Sequence, residues 1–355
     1  MKKYNIAVVG ATGAVGQEMI NMLELRKFPV NNLYLYASAR SKGKFLEFNK
    51  NKIKVQELTH NQIKNIGSFV DIALFSAGSV ISKEYALKFV EQGVFVIDNS
   101  SAWRQEPDIP LVVPEVNSDE LTKNKKLIAN PNCSTIQMVV VLAPIHKKVK
   151  IKRIIVSTYQ SVSGAGARAM HQLYVETKSL IKKLDKLKKI TDINKNILIE
   201  NTQRKILPSQ IAFNLIPQID VFLENNYTKE EMKMVNETKK ILKCYNIKIS
   251  ATCVRVPVFR GHSESVWIEL CKPLSLEEIK KILSESPGIC VIDDTGKYPM
   301  PLDCAFNQIT YVGRIRQDIS KKNSFVMWIV SDNLLKGAAL NAVEIAETLI
   351  RKNFV

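Results

Sequence analysis

The sequence lacks the patterns that mark several classes of protein. Its six cysteines form no CxxC pair, which argues against a zinc site or a disulfide framework and favours reduced thiols. No apolar run reaches the roughly 18 residues that span a bilayer. No signal-peptide pattern precedes the first apolar run. We therefore expect a cytoplasmic protein with no metal site and no membrane partner.

Negative charge is also scarce, because 51 Lys and Arg residues face 34 Asp and Glu residues, for a net charge of +17. A nucleic-acid-binding protein is one interpretation. The lysines are widely spread, however, and their densest cluster, at 178–189, is typical of a solvated helix face. We favour a Lys-rich surface that keeps the protein soluble and attracts anionic small molecules, with no nucleic acid as partner.

The first part of the chain alternates between strand-like and helix-like segments. Apolar runs predict strands at 4–9, 33–37, 70–75 and 94–98, and helical periodicity is present at 17–25 and 81–92. Strands that alternate with helices form a parallel sheet with helices on both faces. We therefore predict an α/β protein whose N-terminal domain, residues 1–132, is a Rossmann-like doubly wound sheet.

The pattern changes after residue 132. Strand-like runs occur at 153–160, 247–258, 265–271 and 324–332, and helical segments are predicted at 169–189 and 229–242. These elements predict an α+β catalytic and dimerisation domain at 133–332, with a mixed or antiparallel sheet. The final segment, 333–355, contains an apolar helical stretch that we expect to pack back on the first domain.

Glycines mark a nucleotide site in the first domain. Gly10, Gly13 and Gly16 follow the first strand and open the first helix, where backbone N–H groups can bind a pyrophosphate. A tight turn without a ligand is the alternative. The second strand is followed by Arg40 and Ser41, where an NAD enzyme usually carries an acidic residue. An arginine beside hydroxyls suits a 2′-phosphate and favours NADP, although a solvated loop arginine would look the same.

Cys133 is the first candidate for catalysis. It follows a loop that contains Asn130 and Pro131, and it precedes an apolar run at 136–142 that predicts a helix. A helix N-terminus favours thiolate over thiol. Such a thiolate could attack a carbonyl and hold the acyl group as a thioester. The alternative is a small, buried apolar residue.

Histidine is rare, with four residues in the chain. His60, His146 and His171 lie in polar or helical segments, and we expect them at the surface. His262 follows a glycine and lies near Arg255, so it is the candidate general acid or base. A structural role is the alternative for such an isolated histidine.

Two further sites carry charge. Arg104 follows the fourth strand, at the edge of the sheet where ligands bind, and could hold an anion by bidentate contact. Glu237 and Lys240 are three residues apart on the helix predicted at 229–242, so they share a face. Without further context, that pair would be interpreted as a surface ion pair.

Five motifs occur in an order that is typical of one family. They are Gly-Ala-Thr-Gly-Ala-Val-Gly at 10–16, Ser-Ser-x-x-Arg at 100–104, Asn-Pro-Asn-Cys-Ser-Thr at 130–135, Gln-x-x-Ser-Gly at 160–164 and Arg-Val-Pro-Val-x-x-Gly-His-Ser-Glu at 255–264. Segments 212–220 and 332–339 add to the likeness. The chain resembles the bacterial-type aspartate-β-semialdehyde dehydrogenases over essentially its whole length.

This resemblance implies a reaction and an assembly. The reaction is the reversible, NADPH-dependent reduction of L-aspartyl 4-phosphate to L-aspartate 4-semialdehyde with release of phosphate. It belongs to lysine, threonine, methionine and diaminopimelate biosynthesis. The resemblance also implies a homodimer. The alternatives are a related acyl-phosphate reductase, such as one acting on N-acetylglutamyl phosphate, and a non-catalytic relative.

The resemblance also implies roles for individual residues. Cys133 would be the nucleophile, His262 the acid/base and Gln160 the residue that orients the substrate. Arg255 with Glu237 would hold the α-carboxylate and α-amino groups, and Arg104 with Lys240 (or Lys239) the phosphate. The residues expected to contact NADP are Gly10, Thr12, Gly13, Ala14, Val15, Arg40, Ser41, Ser163, Gly164 and Asn333.

Overall fold

A computed structural model describes residues 2–199 and 206–355 of the chain. The first domain is built on a seven-stranded sheet. Its strands are β1 (Tyr4–Val9), β2 (Val30–Ala37), β3 (Phe45–Phe48), β4 (Asn51–Glu57), β5 (Ile72–Phe75), β6 (Phe95–Asp98) and β7 (Leu127–Ala129). Their order across the sheet is β3-β4-β2-β1-β5-β6-β7, and only β3 runs antiparallel to its neighbour. The predicted doubly wound parallel sheet is confirmed.

Helices complete this domain. They are α1 (Ala14–Leu25), α2 (Ser79–Glu91) and the short α3 (Pro114–Asn117). Every residue of β5 and β6 is buried, as expected for central parallel strands covered on both faces. Because β1 lies between β2 and β5, the chain changes direction across the sheet at β1. A crevice at the carboxyl ends of these strands is where such folds bind their ligands.

The second domain contains a six-stranded mixed sheet. Its strands are β8 (Ile151–Gln160), β9 (Lys248–Arg255), β10 (His262–Leu270), β11 (Ile289–Val291), β12 (Thr310–Gln317) and β13 (Ser324–Ser331), in the order β11-β12-β13-β10-β8-β9. The outer pairs are parallel and the inner pairs antiparallel. The expected α+β domain with a mixed sheet is confirmed.

One face of this sheet packs against helices. The helices of the domain are α4 (Cys133–Lys148), α5 (Ala167–Leu184), α6 (Lys195–Leu198), α7 (Lys229–Ile241), α8 (Leu276–Ser284) and α9 (Pro301–Cys304). Apolar side chains of α4, α7 and α8 form one core with alternate residues of the strands. Because β7 of the first sheet ends at Ala129 and α4 begins at Cys133, the start of α4 lies where the chain passes from one domain to the other.

The chain ends on the first domain, as predicted. A π-helical segment, Leu335–Ala339, leads into α10 (Leu340–Arg351), and both pack into the apolar core around α1 and β1. Arg26, directly after α1, donates two hydrogen bonds of 2.7 Å to the carboxylate of Glu347 on α10. The domain limits 1–132, 133–332 and 333–355 stay a prediction. No helix in the described part of the chain is long and apolar enough to cross a membrane.

Candidate active site

A cleft between the two domains contains a cavity of about 420 Å³. Residues from the strand ends of both sheets and from the π-helical segment surround it. Of the predicted site residues, it is lined by Val15, Arg104, Cys133, Gln160, Ser163, Gly164, Arg255 and Asn333. These residues are far apart in the sequence, and the fold brings them together around one opening.

Cys133 is the first residue of α4, as predicted. Asn132 caps the helix, because its side-chain oxygen accepts hydrogen bonds from the N–H groups of Ser134 (3.1 Å) and Thr135 (3.3 Å). On the other side of the cysteine, the backbone of Gly337 is in close contact. A Cβ at Gly337 would lie 2.8 Å from the Cβ of Cys133, so only glycine fits there. The thiol is held between a helix start and this backbone.

Burial and the nearby arginines act on the pKa of the Cys133 thiol in opposite directions. Burial raises the pKa of the thiol to about 12, and the carboxylate of Glu230 acts in the same direction. Arg255 and Arg104 oppose this shift but are the smaller effects. The helix N-terminus favours the thiolate, as expected from the sequence, but burial acts in the opposite direction and favours the thiol. Loss of solvation outweighs the favourable dipole.

His262 is fully buried at the start of β10, behind the cavity wall. Its Nδ1 accepts a hydrogen bond of 3.1 Å from the backbone N–H of Ser161, and its Nε2 has no partner among the described residues. A Cβ on Gly164 would lie 3.2 Å from Nε2, so the glycine leaves room beside this atom. Burial, and then the charge of Arg255, lowers the pKa of His262 well below its usual value. The neutral ring therefore carries its proton on Nε2.

Gln160 and Arg255 are the last residues of two neighbouring parallel strands, β8 and β9, and lie opposite each other in the register. Both side chains are buried and reach the cavity. Arg255 donates a hydrogen bond of 2.8 Å to the carbonyl oxygen of Ser161. Gln160 donates one of 3.3 Å to Glu230. The shared strand ends thus place an amide and a guanidinium side by side.

Three charged residues that were not predicted from the sequence, Asp220, Glu230 and Lys233, also line the cavity. Glu230 and Lys233 lie in the first turns of α7, and their charged groups are 3.0 Å apart. Lys233 is also 2.9 Å from Asp220, and Glu230 accepts a hydrogen bond of 2.9 Å from Asn132. Burial opposes ionisation of Glu230, but Lys233, Asn132 and Arg255 together hold its pKa below the usual value. Burial likewise opposes ionisation of Lys233, yet the two carboxylates raise its pKa.

Glu237 and Lys240 lie outside the cavity, which corrects their predicted roles. Glu237 is fully buried and accepts hydrogen bonds from Arg104 (3.1 Å) and from the N–H of Asn132 (2.6 Å). It is therefore the partner of Arg104, and it does not reach the cavity where it was predicted to hold the substrate together with Arg255. The ammonium of Lys240 donates to the carbonyl oxygens of Arg104 (3.0 Å), Glu106 (2.6 Å) and Ile109 (2.9 Å). Both residues connect α7 to the loop that carries Arg104.

Arg104 lies at the cavity as predicted and is held on two sides. One guanidinium nitrogen contacts Glu237, and another donates a hydrogen bond of 2.9 Å to the carbonyl oxygen of Asn99. The cavity wall beside it includes Ser100 and Ser101, after β6, and Ser79 at the start of α2. A guanidinium next to hydroxyls and a helix start suits an anion.

A second cavity, of about 290 Å³, lies beside the glycine motif at the ends of β1, β2 and β5. Gly10 has φ +87°, and a Cβ there would lie 2.5 Å from the carbonyl oxygen of Ser76. Gly10, Thr12 and Gly13 line this cavity, and Thr12 and Ser41 share a hydrogen bond of 3.1 Å. Helix α1 begins without a side-chain cap, so its first N–H groups are available to a ligand.

The remaining residues predicted to bind the cofactor lie around these two cavities. Arg40 is exposed beside the second cavity, and Ala14 and Val15 open α1 between the two. Asn333 lies at the first cavity, where its side-chain oxygen accepts hydrogen bonds from Ser161 (3.1 Å), Ser163 (3.1 Å) and the N–H of Gly261 (3.0 Å). An extended dinucleotide would cross the start of α1 from one cavity to the other. The contacts of these residues with a cofactor stay a prediction.

One of the other histidines also departs from the prediction. His146 is buried on α4, and its Nδ1 accepts a hydrogen bond of 3.1 Å from the N–H of Ile151. Burial lowers its pKa to about 4. The expected surface position is wrong, because His146 lies on α4 against the start of β8, where the residue is 3% exposed.

The fold and the cleft define a nicotinamide-dependent dehydrogenase with a cysteine between its two domains. The family models "Semialdehyde dehydrogenase, NAD binding domain" and "Semialdehyde dehydrogenase, dimerisation domain" match residues 5–124 and 142–336. Aspartate-semialdehyde dehydrogenases from Aquifex aeolicus and Bacillus subtilis are 51% and 48% identical to this chain, with 99% of each chain covered. The chain belongs to the aspartate-semialdehyde dehydrogenase family.

Solved structures agree with this membership. Aspartate semialdehyde dehydrogenase II from Vibrio cholerae, complexed with ASA, is 45% identical with a TM-score of 0.91, and 99% of each chain is covered. The enzyme from Candida albicans with NADP is 26% identical with a TM-score of 0.74, and each chain is covered completely. A nicotinamide cofactor, a small-molecule substrate and a dimerisation domain therefore belong to this chain as to its family.

Proposed function

We propose that the protein catalyses the reversible reduction of L-aspartyl 4-phosphate to L-aspartate 4-semialdehyde, with NADPH as reductant and phosphate as leaving group. Family resemblance places this step in lysine, threonine, methionine and diaminopimelate biosynthesis. The observation that carries the proposal is Cys133 at the start of α4, in a cavity whose charged residues come from both domains.

The charges around the cavity match the groups of this substrate. Arg255 offers a guanidinium for the α-carboxylate, and Glu230 offers a carboxylate for the α-ammonium. Arg104 and Lys233 offer cations for the phosphate. Glu230 and Lys233 thus take the roles that the sequence analysis gave to Glu237 and Lys240. N-acetylglutamyl phosphate lacks a free ammonium and would leave the buried Glu230 without that partner.

Cys133 and His262 have complementary roles in this proposal. The sulfur attacks the acyl carbon, the bond from that carbon to the phosphate oxygen breaks, and the thiol proton leaves with the phosphate. This route needs no preformed thiolate, in keeping with a thiol pKa of about 12. The Nε2–H of His262 then donates a hydrogen bond to the carbonyl oxygen of the thioester as negative charge develops on that oxygen. When the carbon–sulfur bond breaks, the sulfur leaves as a thiolate and takes a proton from solvent water, which replaces the proton that left with the phosphate.

The residues around the glycine motif fit a dinucleotide. The backbone at Gly10 and Gly16 leaves no room for side chains, and the uncapped start of α1 suits a pyrophosphate. Residues Gly10 to Val15 would hold the pyrophosphate, and Asn333 with Ser163 and Gly164 the nicotinamide end. When bound, the cofactor supplies the hydride that reduces the thioester. We favour NADP over NAD because Arg40, Ser41 and Thr12 offer a cation and hydroxyls near the end of β2.

We further propose that the protein works as a homodimer in the cytoplasm. The match to a dimerisation domain supports the assembly, as do Tyr174 and Ile181, which are apolar and exposed on α5. All six cysteines are free thiols, which suits a reducing compartment. Analytical ultracentrifugation checks the assembly, because a species of monomer mass at assay concentration would contradict it.

The testing experiment is NADP⁺ reduction by the purified protein with L-aspartate 4-semialdehyde, with and without inorganic phosphate. We expect NADPH to form only when phosphate is present. Cys133→Ala is expected to lower turnover by about 10⁴-fold or more, as loss of a nucleophile does. Cys271→Ala removes an exposed cysteine and serves as the matched control. Faster phosphate-dependent reaction with N-acetylglutamate 5-semialdehyde would contradict the proposed substrate.

A further inference from the structure

Lys336 is a charged residue that the proposed reaction does not use. It lies in the π-helical segment Leu335–Ala339, and its side chain is 1% exposed. Its ammonium is 2.5 Å from a carboxylate oxygen of Glu115, 2.6 Å from Glu344 and 3.4 Å from the side-chain oxygen of Asn341. Burial opposes its ionisation, but the two carboxylates raise its pKa. The residue is therefore a buried ammonium between two carboxylates.

The partners of Lys336 lie on different elements. Glu115 is on α3, and Glu344 is on α10, two turns after Lys336. Removal of one member of such a buried group leaves an uncompensated charge, which is strongly unfavourable. The Lys336 cluster, which we define as Lys336, Glu115 and Glu344, therefore holds the π-helical segment at a set distance from α3.

This segment forms a wall of the active-site cavity. Leu334, Gly337 and Ala338 line the cavity, and Gly337 is the glycine whose backbone contacts Cys133. The N–H of Gly337 bonds to the carbonyl oxygen of Asp332, five residues earlier, at 3.1 Å. This spacing is rare in helices and is frequent at functional sites. A side chain one residue away from Gly337 thus anchors the backbone that touches the nucleophile.

We propose that Lys336 is a positioning residue for Cys133. Through Glu115 and Glu344 it presses the Gly337 backbone against the cysteine and limits the directions from which the thiol can be approached. The inference depends on the proposed role of Cys133 as nucleophile. It implies that loss of the ammonium frees the thiol while making its orientation toward the acyl carbon less productive.

The experiment compares Lys336→Met with the matched control Arg26→Met. Arg26 also anchors α10 to the first domain, through Glu347, but has no contact with the cavity; it is 4.0 Å from Glu344. For each variant we would measure kcat, both KM values and the rate at which iodoacetamide modifies Cys133, followed by peptide mass spectrometry. Circular dichroism and thermal unfolding establish that each variant is folded.

For Lys336→Met we expect kcat to fall at least tenfold, KM values to stay within threefold, and alkylation of Cys133 to become at least fivefold faster. For Arg26→Met we expect kcat and alkylation within twofold of the wild type. Wild-type values in folded Lys336→Met would overturn the proposal, and so would equal changes in both variants. The alkylation rate does not require substrate, so it separates this outcome from failure of the proposed reaction.

If Lys336→Met does not fold, Glu344→Gln and Glu115→Gln provide the second test. Each variant keeps the lysine and one carboxylate. We therefore expect a lower kcat and a faster alkylation of Cys133, as for Lys336→Met, but with smaller changes. Wild-type kcat and alkylation in both of these variants would overturn the proposal.

Discussion

Two Glu–Lys pairs on helix α7 have the same spacing and opposite positions in the molecule. Glu230 and Lys233 lie at its start, and Glu237 and Lys240 lie seven residues further along. The first pair lines the active-site cavity, whereas the second pair makes hydrogen bonds with Arg104 within the protein. Identical residue types at identical spacing on one helix thus line a cavity in one place and hold two domains together in another.

The difference arises from what lies opposite each turn of the helix. The start of α7 lies beside Asn132 and the end of β8, where the cavity opens. The later turns lie against the loop after β6, whose backbone carbonyls and Arg104 take up the charges of Glu237 and Lys240. A charged pair becomes a binding group only where the fold leaves space in front of it.

The largest effect is expected from Glu237→Ala. The change leaves the buried guanidinium of Arg104 and the N–H of Asn132 without their acceptor. Breaking a buried ion pair in this way costs about 3–5 kcal/mol of folding free energy. Urea unfolding should show this loss, and Glu237→Gln, which keeps an acceptor, should lose less. A loss below about 1 kcal/mol in Glu237→Ala would contradict the structural role.

Glu230→Gln should affect binding and catalysis more than folding. The amide can still accept from Asn132 but no longer offers charge to an ammonium group. We expect kcat/KM for the semialdehyde to fall roughly 100-fold, about 2.7 kcal/mol, as for a desolvated charge pair. Steady-state kinetics checks this, with Glu231→Gln as control, since Glu231 caps α7 and serves the fold. A larger kinetic loss in the control would reverse the assignment.

The two lysines extend the comparison. Lys233→Met is expected to raise KM for phosphate and semialdehyde roughly tenfold, because a cation at the cavity is lost. Lys240→Met should leave both KM values within twofold, but lower stability by about 1–2 kcal/mol through its three carbonyl partners. Paired kinetic and unfolding measurements would show whether the two effects separate. Equal KM changes in both variants would contradict the distinction between a binding role for Lys233 and a structural role for Lys240.

Much of the fold could be predicted from local pattern. Central strands such as β1 and β5 are continuous apolar runs because both of their faces are covered. Strands β3 and β4 were missed because they form a polar hairpin at the sheet edge, with mostly exposed or half-buried residues. Strand β7 was missed because it has only three residues.

The site could be predicted where function and local structure coincide. Cys133 follows an N-cap residue at the start of a helix, and Gly10 lies in a tight turn. Both features can be recognised from a few neighbouring residues. The choice between Glu230 and Glu237 depends on a contact between residues 105 positions apart, Asn132 and Glu237, which no local pattern contains. The pKa of Cys133 likewise depends on burial by segments distant in sequence.

The smallest expected effect is on the pKa of the Cys133 thiol, which should respond to Glu230 but not to Glu237. Burial is the main cause of the raised pKa of Cys133, and Glu230 is the next, whereas Glu237 makes no comparable contribution. Removing a neighbouring negative charge stabilises the thiolate, so Glu230→Gln should lower the pKa of Cys133. Alkylation of Cys133 by iodoacetamide at pH 8 should then be about 3–10 times faster than in the wild type.

Glu237→Gln should leave the alkylation rate of Cys133 within twofold of the wild type. In all three proteins the rate should still rise with each pH unit between 7 and 10, because a thiol with a pKa of about 12 remains mostly protonated there. A plateau below pH 8 in the wild type would mean that the helix start, rather than burial, dominates the state of the thiol. Cys133 would then be a thiolate before substrate arrives, and Glu230 would have to be important for binding alone.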